Sequence, residues 1–193
     1  MSKTLKLFLG ASYLTFLVIF IYLIFSQIDL SRLNDFTYYK EVQEKIEIFI
    51  SKNFFLKILI FSLFCILWVS LLGFGSPLLI ISGILFGKWL GTLISVFSIS
   101  VGALILYIIS KFFFNELIKK TLSQKFLKYI GLFKKNELTY FFAFRLAGGF
   151  GIPFGLQNVL PVIFDIKNKN YFIGSLLGFV PMFFIMNNIG AGL

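Results

Sequence analysis

Gly73-Phe74-Gly75-Ser76-Pro77 and Gly149-Phe150-Gly151-Ile152-Pro153 agree at four of five positions, and each lies between apolar segments. Glycine admits positive φ and close backbone approach. Proline fixes φ and donates no hydrogen bond, so a helix entering either copy has to break. A break at membrane depth must line a cavity or be buried in protein, because lipid cannot satisfy its amide and carbonyl groups, each unpaired one costing on the order of several kcal/mol. Gly/Pro-interrupted segments at matching places in two halves of a chain are the pattern of inverted-repeat transporters. Two ordinary helix ends at the membrane surface would give the same letters, and that reading stays open.

The rest of the chain says membrane. It has 193 residues, 59% of them hydrophobic, 20% aromatic and 13% charged, where a soluble domain carries about 25% charged residues. Mean hydropathy is +0.94. Apolar runs at 5–25, 54–72 and 89–110 approach or exceed the ~18 to 20 residues that cross a bilayer core. The expected fold is an all-α polytopic membrane protein with two re-entrant helical hairpins, inverted-repeat-like, near 74–88 and 147–166, and two amphipathic surface helices. Residues 1–53 read as an anchor helix followed by a surface helix, and 54–193 as the membrane domain. Gly73, Gly75, Pro77, Gly149 and Pro161 are the residues expected to shape the hairpins.

The chain has no histidine and one cysteine, Cys65, so no disulfide within the chain, His-based catalysis or His/Cys zinc site can be built. Neither paired intramembrane carboxylates nor a nucleophile motif appears, and no enzyme, metal or cofactor is expected.

Lys3 and Lys6 at the start of the first run place the N-terminus on the cytoplasmic side, and no A-x-A-like site follows the run, which reads as a retained anchor. From 30 to 50, Leu33, Phe36, Tyr39, Val42 and Ile46 recur at helical spacing opposite Arg32, Asp35, Glu44 and Lys45, an amphipathic surface helix or a soluble cap. A second amphipathic stretch sets Ile118, Leu122, Phe126 and Ile130 against Lys119, Lys120, Lys125 and Lys128. Hydrophobic anchors make anionic headgroups the expected partner of these lysines, and not nucleic acid; a plain positive-inside loop fits as well. Three full crossings would leave this cluster outside, against the charge rule. The region from Phe74 to about Phe113 is therefore expected to dip into the membrane and return.

After the first motif, Gly83, Gly87, Gly91 and Ser95 recur at a spacing of four, with Gly102 beyond, a small-residue stripe for close helix packing. Through it a second copy or another membrane protein could dock. After the second motif come Gln157 and Asn158, whose amides could bond backbone freed by the break or a ligand headgroup. Arg145 directly precedes that motif. An arginine at mid-span costs about 2.5 to 3.5 kcal/mol, so it faces a wet cavity or a counter-charge, or snorkels. Its fork suits phosphate, and Asp165 is a candidate partner.

Ser76-Pro-Leu-Leu-Ile-Ile-Ser-Gly-Ile-Leu-Phe-Gly-Lys-Trp-Leu-Gly91, Phe144-Arg-Leu-Ala-Gly-Gly-Phe-Gly-Ile-Pro-Phe-Gly-Leu-Gln-Asn158, Leu177-Gly-Phe-Val-Pro181 and Asn188-Ile-Gly-Ala-Gly192 resemble the DedA-like superfamily of VTT-domain, or SNARE-associated Golgi, membrane proteins. The chain looks closest to the late-Golgi-vesicle-protein branch common in bacteria. The resemblance implies two re-entrant hairpins facing each other and a role in moving lipid headgroups: phospholipid scrambling in eukaryotic relatives, polyprenyl-phosphate recycling in some bacterial ones. The family's arginine carries over to Arg145, its hairpin proline to Pro153 and its asparagine to Asn158. Proton-coupled relatives carry acidic residues around the first hairpin, whereas here no Asp or Glu lies between Glu47 and Glu116, which puts proton coupling in doubt. Relatives usually continue through a further span past the point matching Leu193, so a short or a truncated chain is open.

The function expected is therefore a scramblase- or flippase-like transporter of phospholipid or polyprenyl phosphate in the bacterial cytoplasmic membrane. Arg145, Gly151, Pro153, Gln157 and Asn158 are its candidate substrate-binding residues. The alternative is a non-transporting assembly or envelope-integrity factor acting through helix contacts at Gly83, Gly87 and Gly91.

Overall fold

The computed structural model describes residues 3–26 and 53–193. The amphipathic segment read at 30–50 lies outside the described residues. The chain divides into two units, Met1–Leu59 and Ile60–Leu193. In the first, α1 (Lys3–Ser26) is one helix, about 36 Å long at 1.5 Å per residue. The boundary falls inside α2 (Phe54–Leu72).

Every regular element among the described residues is helical, and three helices are long and apolar enough to cross a membrane: Phe54–Leu72, Ser76–Phe113 and Asn168–Ala191. Large apolar side chains cover their outer faces, with Trp89 69% and Leu93 70% exposed, a surface suited to lipid and not to water. The protein is an all-α membrane protein.

The second of those helices is not straight. α3 (Ser76–Lys135) is interrupted at Gly87, φ 72 and ψ 175, a region of backbone space that essentially only glycine occupies. The chain reverses there. The Ser82 hydroxyl donates to the Gly91 carbonyl at 2.9 Å across the turn, and Gly75 packs against Ile99. Residues 76–86 thus form a short arm, about 16 Å long, laid against the helix that starts at 88. The hairpin expected near 74–88 is only the first arm of a larger one.

Small residues let the arms close. A methyl group added to Gly91 would lie 2.7 Å from the Ser82 carbonyl oxygen. Gly102, further along the same helix, meets α2, where a methyl would sit 2.9 Å from the Ile66 carbonyl oxygen. On this face of α2, Cys65 and Val69 are completely buried.

The second half begins with α4 (Glu137–Leu146), passes a 3-10 turn (Gly148–Gly151), and returns through α5 (Phe154–Val159) and a second 3-10 turn (Leu160–Phe164). Asp165, at φ 53, turns the chain into α6 (Asn168–Ala191). α6 runs antiparallel to the returning arm: the Tyr171 hydroxyl donates to the Asn158 carbonyl at 3.1 Å, and the Phe154 and Phe179 rings meet at 5.4 Å. It runs parallel to α4. Glu137, in the first turn of α4, accepts from the Lys167 amide and from Asn170 Nδ2, an anion on the positive end of α6. One turn and two turns further on, Gly174 admits Phe141, and Gly178 lies so close to Arg145 that a methyl there would collide with the Arg145 Cβ.

The far half of α6 packs on the first hairpin. Gly83 faces the Asn187 carbonyl and Gly190 faces the Ile80 carbonyl, each with no room for a methyl. Asn187 Nδ2 donates to Ser95 Oγ at 3.1 Å and to the Phe183 carbonyl at 2.8 Å.

Candidate functional site

Arg145 ends α4, where the glycines of α6 let that helix approach, and it is only 2% exposed. Its Nη2 donates to Asn158 Oδ1 at 2.8 Å and to the Tyr171 hydroxyl at 2.6 Å. Nε and Nη1 are buried with no hydrogen-bond acceptor. Four rings surround the guanidinium: Phe179 at 4.7 Å from Cζ, Phe141 at 5.0 Å, Tyr171 at 5.2 Å and Phe154 at 5.9 Å. Each desolvated cation–π contact contributes up to about 2 kcal/mol, which offsets part of the cost of burying a cation.

The expected counter-charge is absent from this cage. Asp165 pairs with Lys111 instead, at 2.7 Å, because the left-handed turn at Asp165 sits at the opposite end of the returning arm from Arg145. The cage therefore combines a buried cation, neutral partners and two donor nitrogens, Nε and Nη1, without an acceptor, a setting that favours an anion if one can reach it.

Asn158 joins the two motifs. While its Oδ1 accepts from Arg145, its Nδ2 donates to the Gly73 carbonyl at 3.1 Å. Close by, Gly155 lies in van der Waals contact with Gly73. Gly73 carries φ 78, so its carbonyl is released from helical bonding and turned toward the second hairpin. Gln157 satisfies the second break itself, its Nε2 donating to the Gly148 carbonyl at 2.9 Å and the Ile152 carbonyl at 2.6 Å. Of the two uses open to it in the sequence, its amide N–H groups serve the freed backbone.

The other singled-out residues fall as follows. Pro77 stands in the first turn of α3 and Pro161 in the first turn of the second 3-10 segment, where a missing N–H costs nothing. Pro153 leads into α5, Gly149 lies within the first 3-10 turn, and Gly151 has φ 80 with open space around it. Gly75 packs on Ile99 without positive φ. Gly83, Gly91 and Ser95 converge on Asn187, and Gly102 packs on α2. Gly87 departs from the packing stripe: a methyl added there would meet no side chain or distant backbone within 4 Å, and it forms the turn that puts Gly83 and Gly91 on separate arms. Lys119, Lys120, Lys125 and Lys128 lie on the helical continuation of α3.

Sequence reasoning did not single out Tyr171, Phe141, Phe179, Glu137 or Asn187. Gly174 and Gly178, a turn apart in an apolar run, were a legible signal of close packing. The cage rings carried none, being a few among 28 phenylalanines and 8 tyrosines.

The arms of the second hairpin stand apart around a cavity of about 490 Å³ that Phe141 separates from Arg145; its walls run from Phe133 and Phe164 at one end to Ile152 at the other. The first hairpin has closed arms instead.

A family model described as the VTT domain matches residues 73–192, and no solved structure matches the chain. The match starts at the first glycine of the first motif and ends at the cap of α6, so it takes in both breaks, Arg145 and every residue that cages it. The chain belongs to the VTT-domain, DedA-like family of membrane proteins.

Proposed function

We propose that this protein moves lipids across the bilayer as a scramblase- or flippase-like transporter, and that Arg145 meets the lipid phosphate. The observation that carries the reading is the buried guanidinium with two free donors at the meeting point of two broken helices. A purely structural arginine is more fully bonded than this. The reading requires the hairpins to separate for a headgroup to enter, which breaks the Asn158 bond to the Gly73 carbonyl, the Tyr107 hydroxyl's bond to the Ile166 carbonyl at 2.7 Å and the Lys111–Asp165 pair.

In this reading Lys88 and Trp89 mark one membrane surface and Lys111 the other. The helix between them is about 35 Å long at 1.5 Å per residue, near the ~30 Å hydrocarbon thickness, and Lys with Trp is an interfacial pairing. Both ends of the second hairpin are tied to the Lys111 end, Glu137 through the start of α6 and Asp165 through Lys111. That hairpin is then re-entrant, with its motif near mid-membrane. The lysines that follow Lys111 make its side cytoplasmic, where they gather anionic headgroups. Lys3 and Lys6 favour the same side for the N-terminus, and the branch resemblance favours a bacterial cytoplasmic membrane.

The assembly-factor alternative needs Gly83 and Gly91 on an open face, but α6 of the same chain occupies it. Reconstitution into liposomes with labelled phospholipid or polyprenyl phosphate tests the proposal. Faster flip than in empty vesicles for either lipid is expected; equal rates for both defeat it, and Arg145→Gln with full activity removes the role given to Arg145.

A further inference from the structure

The cavity in the second hairpin is a site of its own. Its walls are apolar but for the Tyr140 hydroxyl, with Phe133, Phe144, Leu160 and Ile163 prominent among them. Its rim is open, since Tyr140 is 45% exposed and Ala143 is exposed. Next to Phe133 in the chain, at one end of the cavity, stand Lys134 and Lys135, both exposed. A dry apolar hole excludes water, and a helix, at 10–12 Å across with its side chains, does not fit within it.

We infer that this cavity holds one acyl chain of an anionic phospholipid whose headgroup lies against Lys134 and Lys135. At roughly the 30 Å³ that a water-sized group occupies in a liquid, 490 Å³ takes about sixteen such groups, an ordinary acyl chain. A long polyprenyl chain exceeds it. The cations at the mouth select for negative charge, at about 1 kcal/mol each near a surface. Phe141 puts the chain one ring away from Arg145, so a lipid seated here is held beside the side chain proposed to bind phosphate. The inference rests on the lipid-handling reading but concerns binding alone.

The test uses the full chain in nanodiscs containing phosphatidylglycerol with a photoactivatable group at mid-chain, and maps crosslinked peptides. Crosslinks are expected to concentrate on Tyr140, Phe144 and Leu160. Ala143→Phe, which fills the hole, is expected to lower them about tenfold while labelling at lipid-facing Leu93 persists. Should that variant not fold, Leu160→Trp serves in its place. Lys134→Gln with Lys135→Gln is expected to erase the preference over phosphatidylcholine. Labelling spread evenly over outward-facing residues, or untouched by cavity filling, overturns the site. Stronger displacement by polyprenyl phosphate than by unlabelled phosphatidylglycerol overturns the acyl assignment. Because no transport is read, an inactive protein that still labels here counts against transport and not against the site, and an active one that labels evenly does the reverse.

Discussion

The two hairpins carry nearly the same five residues, at the base of the first and at the turn of the second, and end as opposites. The first has small residues on its facing surfaces, Ser82, Gly83, Gly91 and Ser95, so its arms and α6 close to backbone contact. The second has aromatic residues there, Tyr140, Phe141, Phe144 and Phe164, and its arms are held apart around an apolar space. A Gly-Phe-Gly-x-Pro break therefore fixes where a helix ends but not what the ending is for. The flanking side-chain volumes decide that. Closed arms leave no space for a guest, whereas the open hairpin has one, with Arg145 caged beside it.

The comparison can be broken at single residues. The largest effect is expected for Gly83→Ala, whose methyl collides with the Asn187 backbone; neither side can yield cheaply, and a loss of about 3 kcal/mol is expected, read as a fall in thermal stability in detergent. Asn158→Ala comes next. It strands the Gly73 carbonyl, at about 1 to 3 kcal/mol for a buried group left unpaired, and leaves Arg145 Nη2 with the Tyr171 hydroxyl alone, and lipid flip should fall with it; unchanged stability would mean that this bond does not join the halves. Gly151→Ala meets no neighbour, so only its left-handed backbone counts, about 1 to 2 kcal/mol. A Gly151→Ala as damaging as Gly83→Ala would erase the distinction between the hairpins. The smallest effect belongs to Asp165→Asn. Its pair with Lys111 is about one third exposed on both sides, so less than about 1 kcal/mol is expected, diminishing in high salt.

Much of this was legible in the letters, and the limits have physical causes. Apolar runs and paired Gly/Pro breaks announced an all-helical membrane protein, because lipid leaves the backbone few options. Arg145 stood out because a charge in an apolar run is costly. The arm that runs from 76 to 86 was misjudged in extent, since a glycine stripe at a spacing of four looks the same whether the helix continues or reverses at its second member. Only the backbone angles of Gly87 separate the two. Asp165 is a candidate partner for Arg145 on its place at the far end of the second hairpin, and the turn that carries it to Lys111 has no letter of its own. The cage was illegible for another reason: rings serve lipid contact, core packing and cation contact alike, and periodicity does not say which.

Cys65 is completely buried, one turn before Val69, which packs on Gly102 of the first hairpin's long arm. It is also the chain's sole thiol, which gives the experimenter a ready-made silent background. Maleimide reagents should pass over the native protein, so cysteines placed singly at Trp89, Lys120 or Lys167 would report their own side of the membrane without a thiol-free variant having to be made first.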